Sequence, residues 1–240
     1  MHFYGKTDVG RRREMNQDVF GLDVFDAQTG YGLVCDGMGG QSAGNIASDM
    51  ACKAITARIK EAIKQKSHES PRSILASAIR EANYSVYKCS MVEPDYHGMG
   101  TTAVVAFVSG GVAYCAHVGD SRIYLLRGGT LTQVTRDHSL VQELMESGQI
   151  TPEQMRTHPR RNMITRAVGV GLTVEPDLLQ IPLQPGDKLL LCSDGLTNMI
   201  EDMRIAQILM TYSGAKACDV LINEANNAGG TDNITAVLME

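Results

Sequence analysis

Apolar residues recur along this chain at two spacings, and each spacing predicts a different kind of element. Ala47, Met50, Ala51, Ala54, Ile55, Ile59, Ala62 and Ile63 hold one face at a period of 3.6 residues, which predicts a long helix. A second helix is expected to begin at Ser70 as cap with Pro71 in its first turn, carrying a stripe of Leu75, Ala78, Ile79, Ala82 and Val86. Strand signals at 19–25 and 30–35 precede these helices. Four more follow at 101–108, 112–117, 122–127 and 131–134, punctuated by Gly110-Gly111 and Gly128-Gly129. Turns so closely spaced favour antiparallel hairpins over parallel crossovers.

A more polar span runs from 138 to 171, with a short helix near 140–146 and few strand signals. Strands resume at 178–181 and 188–192, the latter opened by Pro185-Gly186-Asp187. Helices near 203–210 and 215–226 precede a last strand at 233–239. Strands grouped together, with helices grouped before and after, predict an α+β layered sandwich. No repeat or low-complexity linker divides the chain, so residues 1–240 are expected to form one domain.

The hydrophobic fraction of 43% and charged fraction of 20% are those of an ordinary globular protein. A net charge of −5 argues against a nucleic-acid partner, so attraction of an anionic substrate falls to metals and a few arginines. Six cysteines without Cys-x-x-Cys spacing read as small buried hydrophobes in a reducing compartment. The stretch 99–118 lacks Asp, Glu, Lys and Arg, but its Ser109-Gly110-Gly111 break makes it a buried hairpin, not a membrane span. With no apolar segment after a basic start, the protein is expected in the cytoplasm, away from membranes.

Five aspartates sit in tight glycine or asparagine contexts: Asn16-Gln17-Asp18, Asp36-Gly37-Met38-Gly39-Gly40, Gly119-Asp120-Ser121-Arg122, Ser193-Asp194-Gly195 and Thr231-Asp232-Asn233. Four of them adjoin an apolar run that reads as a strand. Carboxylates at strand ends, followed by residues that let the backbone turn, are aimed at a shared rim. There they repel one another unless cations hold them. Oxygen ligands in this number suit Mg2+ or Mn2+; a Cys/His set for zinc and the twelve-residue calcium loop are both missing. Two such ions about 3.5–4 Å apart can share a carboxylate, acidify a trapped water and clamp a phosphoryl oxygen. Phosphoester hydrolysis without a covalent nucleophile is the natural chemistry.

Eight motifs appear in order: Thr7-Asp8-Val9-Gly10 with Arg13, Asn16-Gln17-Asp18, Asp36-Gly37-Met38-Gly39-Gly40, Gly98-Met99-Gly100-Thr101-Thr102, Gly119-Asp120-Ser121-Arg122, Asp137-His138-Ser139, Ser193-Asp194-Gly195 and Asp232-Asn233-Ile234-Thr235. In these the chain resembles bacterial metal-dependent protein serine/threonine phosphatases of type 2C. The resemblance implies a four-layer α-β-β-α sandwich of two mainly antiparallel sheets flanked by helix pairs. It also implies two tightly bound Mn2+ or Mg2+ ions, and a third, weaker one, in the cleft between the sheets. Asp36 matches the bridging carboxylate, and the Gly37 carbonyl a ligand of the second metal. Asp194 and Asp232 match ligands of the first metal, while Asp18 reaches the second largely through water. Asp120, with Asp194, matches the third site, and Arg13 the arginine that grips the substrate phosphate.

The implied mechanism is direct attack by a metal-bridging hydroxide on phosphoserine or phosphothreonine of protein substrates, opposing a bacterial Ser/Thr kinase. Animal relatives carry histidine at Met38 and some bacterial ones just after the glycines, at Gln41; neither residue here donates a proton in that way. A metal-bound water is therefore the expected general acid. The span 138–171 matches the family's flap, whose second half carries Arg156, His158, Arg160, Arg161 and Arg166 against the single acid Glu153. Arg160 and Arg161 are the candidate contacts to a phosphorylated peptide, and the chain is expected to act as a monomer. Asp8 reads as a turn residue opening the first strand. His97, His117 and His138 read as structural hydrogen-bonders, Asn233 as ordering the Asp232 turn, and Thr101 and Thr102 as strand-entry residues without chemistry. A phosphoprotein-binding domain without turnover and a nucleotide phosphodiesterase are the rival readings.

Overall fold

The computed structural model describes residues 1–40 and 43–240. In chain order, β1 (Phe3–Asp8), β2 (Asp18–Val24) and β3 (Gly30–Met38) lead into α1 (Gly44–Lys64) and α2 (Pro71–Val92). Then come β4 (Gly100–Thr101), β5 (Ala103–Ser109), β6 (Val112–Val118), β7 (Arg122–Arg127) and β8 (Thr130–Gln133). Two short helices, α3 (Leu140–Glu146) and α4 (Pro152–Thr157), occupy the polar span. The remainder is β9 (Asp177–Pro182), β10 (Lys188–Cys192), α5 (Asp194–Thr197), α6 (Asp202–Thr211), α7 (Gly214–Asn227) and β11 (Ile234–Met239).

The strands form two antiparallel sheets, ordered β1-β11-β10-β7-β8 and β2-β3-β5-β6-β9, with β4 paired to β3 beyond β5. Alternation along each central strand sends successive side chains to opposite faces. Leu33 and Cys35 of β3 pack under α1 and α2, while Val34 faces the other sheet. Leu190 and Cys192 of β10 pack under α6 and α7, while Leu189 and Leu191 meet Val34, Val104 and Ala106 between the sheets. Three apolar cores therefore separate four layers, helices-sheet-sheet-helices, as expected for the α+β sandwich. Strands buried on both faces read as unbroken apolar runs, which is why 188–192 and 234–239 carry no polar alternation.

The helical stripes lie where the spacing puts them. Leu75, Ala78, Ile79, Ala82 and Val86 are all fully buried, and the Ser70 hydroxyl caps α2 by accepting from the Ser73 N–H at 3.2 Å. The stretch 99–118 folds as β4 and the β5–β6 hairpin, and no described helix is long and apolar enough to cross a membrane. Five of the six cysteines are buried, and all six are free thiols.

One expectation is corrected. Asp8 closes β1 instead of opening the first strand: β1 runs from Phe3 against β11, and the Asp8 Oδ1 accepts from the Gly10 N–H at 2.9 Å and Asn226 Nδ2 at 3.0 Å. Gly5, Lys6 and Asp8 weaken the apolar signal of this edge strand, which long-range pairing with 234–239 supplies instead. α4 and α5 add to the elements expected. α4 opens on a capping box in which Thr151 and Gln154 satisfy each other's backbone N–H groups.

Candidate metal centre

The carboxylates come from both sheets at one end of the sandwich. Asp18 opens β2 and stands in register with Asp36 near the end of β3. Asp194 follows β10 as the first residue of α5, and Asp232 lies in the turn before the neighbouring β11. Asp120 occupies the β6–β7 turn, where the chain passes from one sheet to the other. Charge on Asp36 is opposed by Asp18, Asp194, Asp120 and Asp232 together, so all five groups converge on one place.

Close main-chain approach makes this convergence possible. A Cβ on Gly37 would lie 2.0 Å from the Gly44 carbonyl oxygen, and one on Gly195 would lie 1.9 Å from that of Asn233. Only glycine lets the start of α1 close on the end of β3, and the Asp232 turn on α5. Asn233 stitches the neighbouring loop: its Oδ1 accepts from the Gln17 N–H at 2.8 Å, and its Nδ2 donates to the Val9 and Met15 carbonyls, both at 2.9 Å. It thus orders the whole 9–17 loop against the Asp232 turn. Thr101 and Thr102 fix the Asp36 backbone, the first by donating its hydroxyl to the Asp36 carbonyl at 2.8 Å. Thr102 Oγ1 accepts from the Asp36 N–H at 2.9 Å.

Asp18 is the most buried of the five. Its Oδ2 accepts from the Ser193 and Thr235 hydroxyls, each at 2.7 Å, while its Oδ1 is buried without a partner. Burial first, then the charges of Asp194 and Asp232, push its carboxyl up to about 7 against those two hydrogen bonds. Burial and then Asp232 push Asp194 up to about 6, opposed by Asn198. Burial raises Asp36 and Asp120 well above the usual carboxylate range, reinforced by Asp18 for the first and Asp194 for the second. Asp36, Asp120 and Asp194 are only partly buried, so their elevation reflects crowding of like charge as well as enclosure. An orphaned buried oxygen within an all-oxygen, mutually repelling donor set fits hard divalent cations.

Arg13 reaches the same place from the 9–17 loop, its Nη2 donating to Asp232 Oδ2 at 2.7 Å with half its side chain exposed. A cleft of about 490 Å³ extends from Asp120 and Asp194 past Arg122 to α3, α4 and α6. Arg161 lines it and also a second depression formed by residues 157–163, whereas Arg160 lines only the second. Met38 stands at the end of β3 with no proton to give, and Gln41 lies outside the described residues. Ser193 and Thr235 partner Asp18, a role the sequence alone does not mark. Arg122 is likewise unmarked, held by Asp137 through Nε at 3.0 Å and Nη2 at 2.7 Å beside Asp120. Each sat within a recognised motif, which was the available signal.

Residues 8–227 match the family described as Protein phosphatase 2C. The chain belongs to that family. Among its relatives is a serine/threonine phosphatase, stp, of Listeria welshimeri, 42% identical over 241 residues that span 100% of this chain and 96% of the relative. The serine/threonine phosphatase of S. agalactiae has a solved structure that superposes with a TM-score of 0.88 at 38% identity, covering 99% of this chain and 98% of that one. A third, the catalytic domain of the serine/threonine protein phosphatase PstP, was solved in complex with two manganese ions. It superposes with a TM-score of 0.86 at 34% identity, covering 99% of this chain and 96% of that one. This phosphatase thus shares its four-layer architecture with solved members of its family.

Proposed function

We propose that this protein phosphatase hydrolyses phosphoserine and phosphothreonine on proteins, with Asp18, Asp36, Gly37, Asp194 and Asp232 holding two Mn2+ or Mg2+ ions. The observation that carries the reading is the crowding of four carboxylates around Asp36, one of them Asp18, whose buried Oδ1 has no protein partner. Such a cluster stays ionised at neutral pH only beside positive charge. Held by these residues, divalent cations would supply Lewis acidity for the activation of water and positive charge to offset that of the phosphate.

The chain's own residues do the rest. Asp36, anchored through both its N–H and its carbonyl by Thr102 and Thr101, has the fixed backbone that a bridging ligand needs. Asp120 and Asp194 lie together where a third, weaker cation would sit. Arg13 stands beside Asp232 with an exposed guanidinium that suits paired phosphate oxygens, orienting phosphorus toward the nucleophile. The 138–171 segment acts as a flap bordering the cleft, with Arg161 placed to meet residues flanking the phosphorylated side chain. Residues 1–240 act as one catalytic domain, a monomer in the cytoplasm, opposing a Ser/Thr kinase.

The test is hydrolysis of p-nitrophenyl phosphate and of a phosphothreonine peptide with Mn2+. Activity abolished by chelator and by Asp36→Asn supports the reading. Binding of the phosphopeptide without turnover, or preference for a nucleotide diester, contradicts it.

A further inference from the structure

Among the described residues, one further group of side chains has the spacing to hold a metal ion. It joins His117 on β6, His138 at the start of the 138–171 segment, and Asp177 opening β9. His117 is fully buried with neither ring nitrogen partnered, and its ring lies 4.6 Å from that of His138. One ligand atom from each of the three lies within 4.8 Å of the others, a spacing that could hold a cation.

The hydrogen bonds around His138 point elsewhere. The Gly119 N–H donates to His138 Nδ1 at 3.0 Å, so that nitrogen carries a lone pair. Burial keeps the ring neutral by lowering its pKa, and the ring proton therefore sits on Nε2. An imidazole ligating a metal through Nε2 would carry its proton on Nδ1, pointing into the Gly119 N–H. Nε2 instead faces Asp177 Oδ2 at 3.2 Å, close enough for attraction but not aligned as a full hydrogen bond. Asp177 Oδ1 in turn accepts from Arg166 Nη1 at 2.7 Å.

The main chain of His138 doubles the grip. Its N–H donates to the Gly119 carbonyl at 2.8 Å, and its carbonyl accepts from the Thr165 N–H at 2.8 Å. One residue therefore holds both backbone groups of Gly119 and ties them to the far end of the 138–171 segment. The opposite side of the turn is held as well. Ser121 Oγ lies 2.7 Å from Thr102 Oγ1, the same oxygen that accepts from the Asp36 N–H. Gly119 sits at φ +108°, and a Cβ there would lie 2.6 Å from Thr102 Cγ2, so the turn has no slack on that face.

We propose that His138 is a positioning residue: by accepting the Gly119 N–H it fixes the aim of Asp120 and couples the 138–171 segment to the outermost carboxylate of the metal centre. This rests on the reading that Asp120 holds the weakest of the bound cations. Asp177, held by Arg166, attracts the Nε2 edge of the ring, so the coupling runs from the segment's end to its root and then into the β6–β7 turn.

The experiment compares the full-length protein with His138→Phe, His138→Asn and Asp120→Asn. Mn2+ titration calorimetry and the histidine nitrogen NMR spectrum of the metal-free protein are the two readouts. Phe keeps the ring but removes the acceptor, whereas Asn places an oxygen where Nδ1 stood. The expected result is a roughly tenfold weaker final Mn2+ binding event in His138→Phe, the tighter events unchanged, and recovery of most of the loss in His138→Asn. The spectrum is expected to show the His138 proton on Nε2, a reading that needs no variant to fold. Unchanged weak binding in His138→Phe, alongside weakened binding in Asp120→Asn, overturns the coupling. Unchanged binding in Asp120→Asn overturns the assignment of Asp120 itself. A proton on Nδ1, or one zinc ion per chain lost on His117→Ala, overturns the proposal in favour of a cation site.

Discussion

Asp18 and Asp36 are register partners across the antiparallel pair β2 and β3, so two carboxylates stand side by side at the mouth of one sheet. The other sheet brings Asp194 and Asp232 to meet them. Four negative groups in one partly enclosed place are a cost of the metal-free fold, and neutralising one of them should be felt in two opposite ways.

Asp36→Asn removes a charge from that cluster. The metal-free protein should melt higher than wild type, because less repulsion remains. Hydrolysis of p-nitrophenyl phosphate should fall by at least about 100-fold, the upper end of what loss of a mere outer-shell partner costs. Thermal melts in chelator and steady-state kinetics in Mn2+ check the two signs; a variant that gained activity or lost metal-free stability would contradict the account.

The same crowding fixes a pH dependence. Asp18 and Asp194 have folded-state pKa values raised to about 7 and about 6, above their unfolded value. Their protonated forms favour the folded state, so their contribution is fully present below pH 4 or so and is lost as pH rises through 6 to 7. Mn2+ should restore what deprotonation removes. The rise in Tm on adding Mn2+ should therefore be larger at pH 7.5 than at pH 5.5, and differential scanning fluorimetry at several pH values measures it.

Thr235 is fully buried and gives its hydroxyl to Asp18 Oδ2. Thr235→Val keeps the shape and removes the donor, which should cost about 1.5–3 kcal/mol at a pH where Asp18 is charged. Urea unfolding at pH 8 reads this directly. At pH 5, where Asp18 is protonated, the loss should shrink.

Arg161 lines the cleft beside Asp120 and Asp194, whereas Arg160 does not. Arg161→Ala should raise KM for a phosphothreonine peptide several-fold while leaving p-nitrophenyl phosphate nearly unchanged, and Arg160→Ala should alter neither strongly. Equal effects of Arg161→Ala on both substrates would remove it from peptide recognition. Exposed arginines paired only with surface groups contribute little, so an effect confined to the peptide is informative.

Local signals carried much of this. A short apolar run ending in Asp-Gly marks a strand with a carboxylate at its end: 189–195 turns there into α5, whereas β3 carries on through Asp36 and Gly37 to Met38. Helical periodicity places α1 and α2 because their buried stripes depend only on spacing along one element. What stayed hidden depends on distant partners. β1 is a strand because 234–239 pairs with it, not because its own residues alternate. Ser193 and Thr235 matter because β10 and β11 lie side by side and bring both hydroxyls to an aspartate some 175 and 217 residues away in sequence. Arg160 and Arg161 are neighbours of identical chemistry, and only the path of the loop separates the one on the cleft from the other.

If aspartates from two sheets enclose divalent cations, the ions sit where Asp36 faces Asp194 and Asp232. Anomalous diffraction from crystals soaked in manganese tests it most directly. Two strong peaks with Asp36 between them, flanked by Asp194 and Asp232 on one side and Gly37 on the other, are the predicted result. A map without manganese among these groups, their carboxylates turned to separate neighbours, would contradict it.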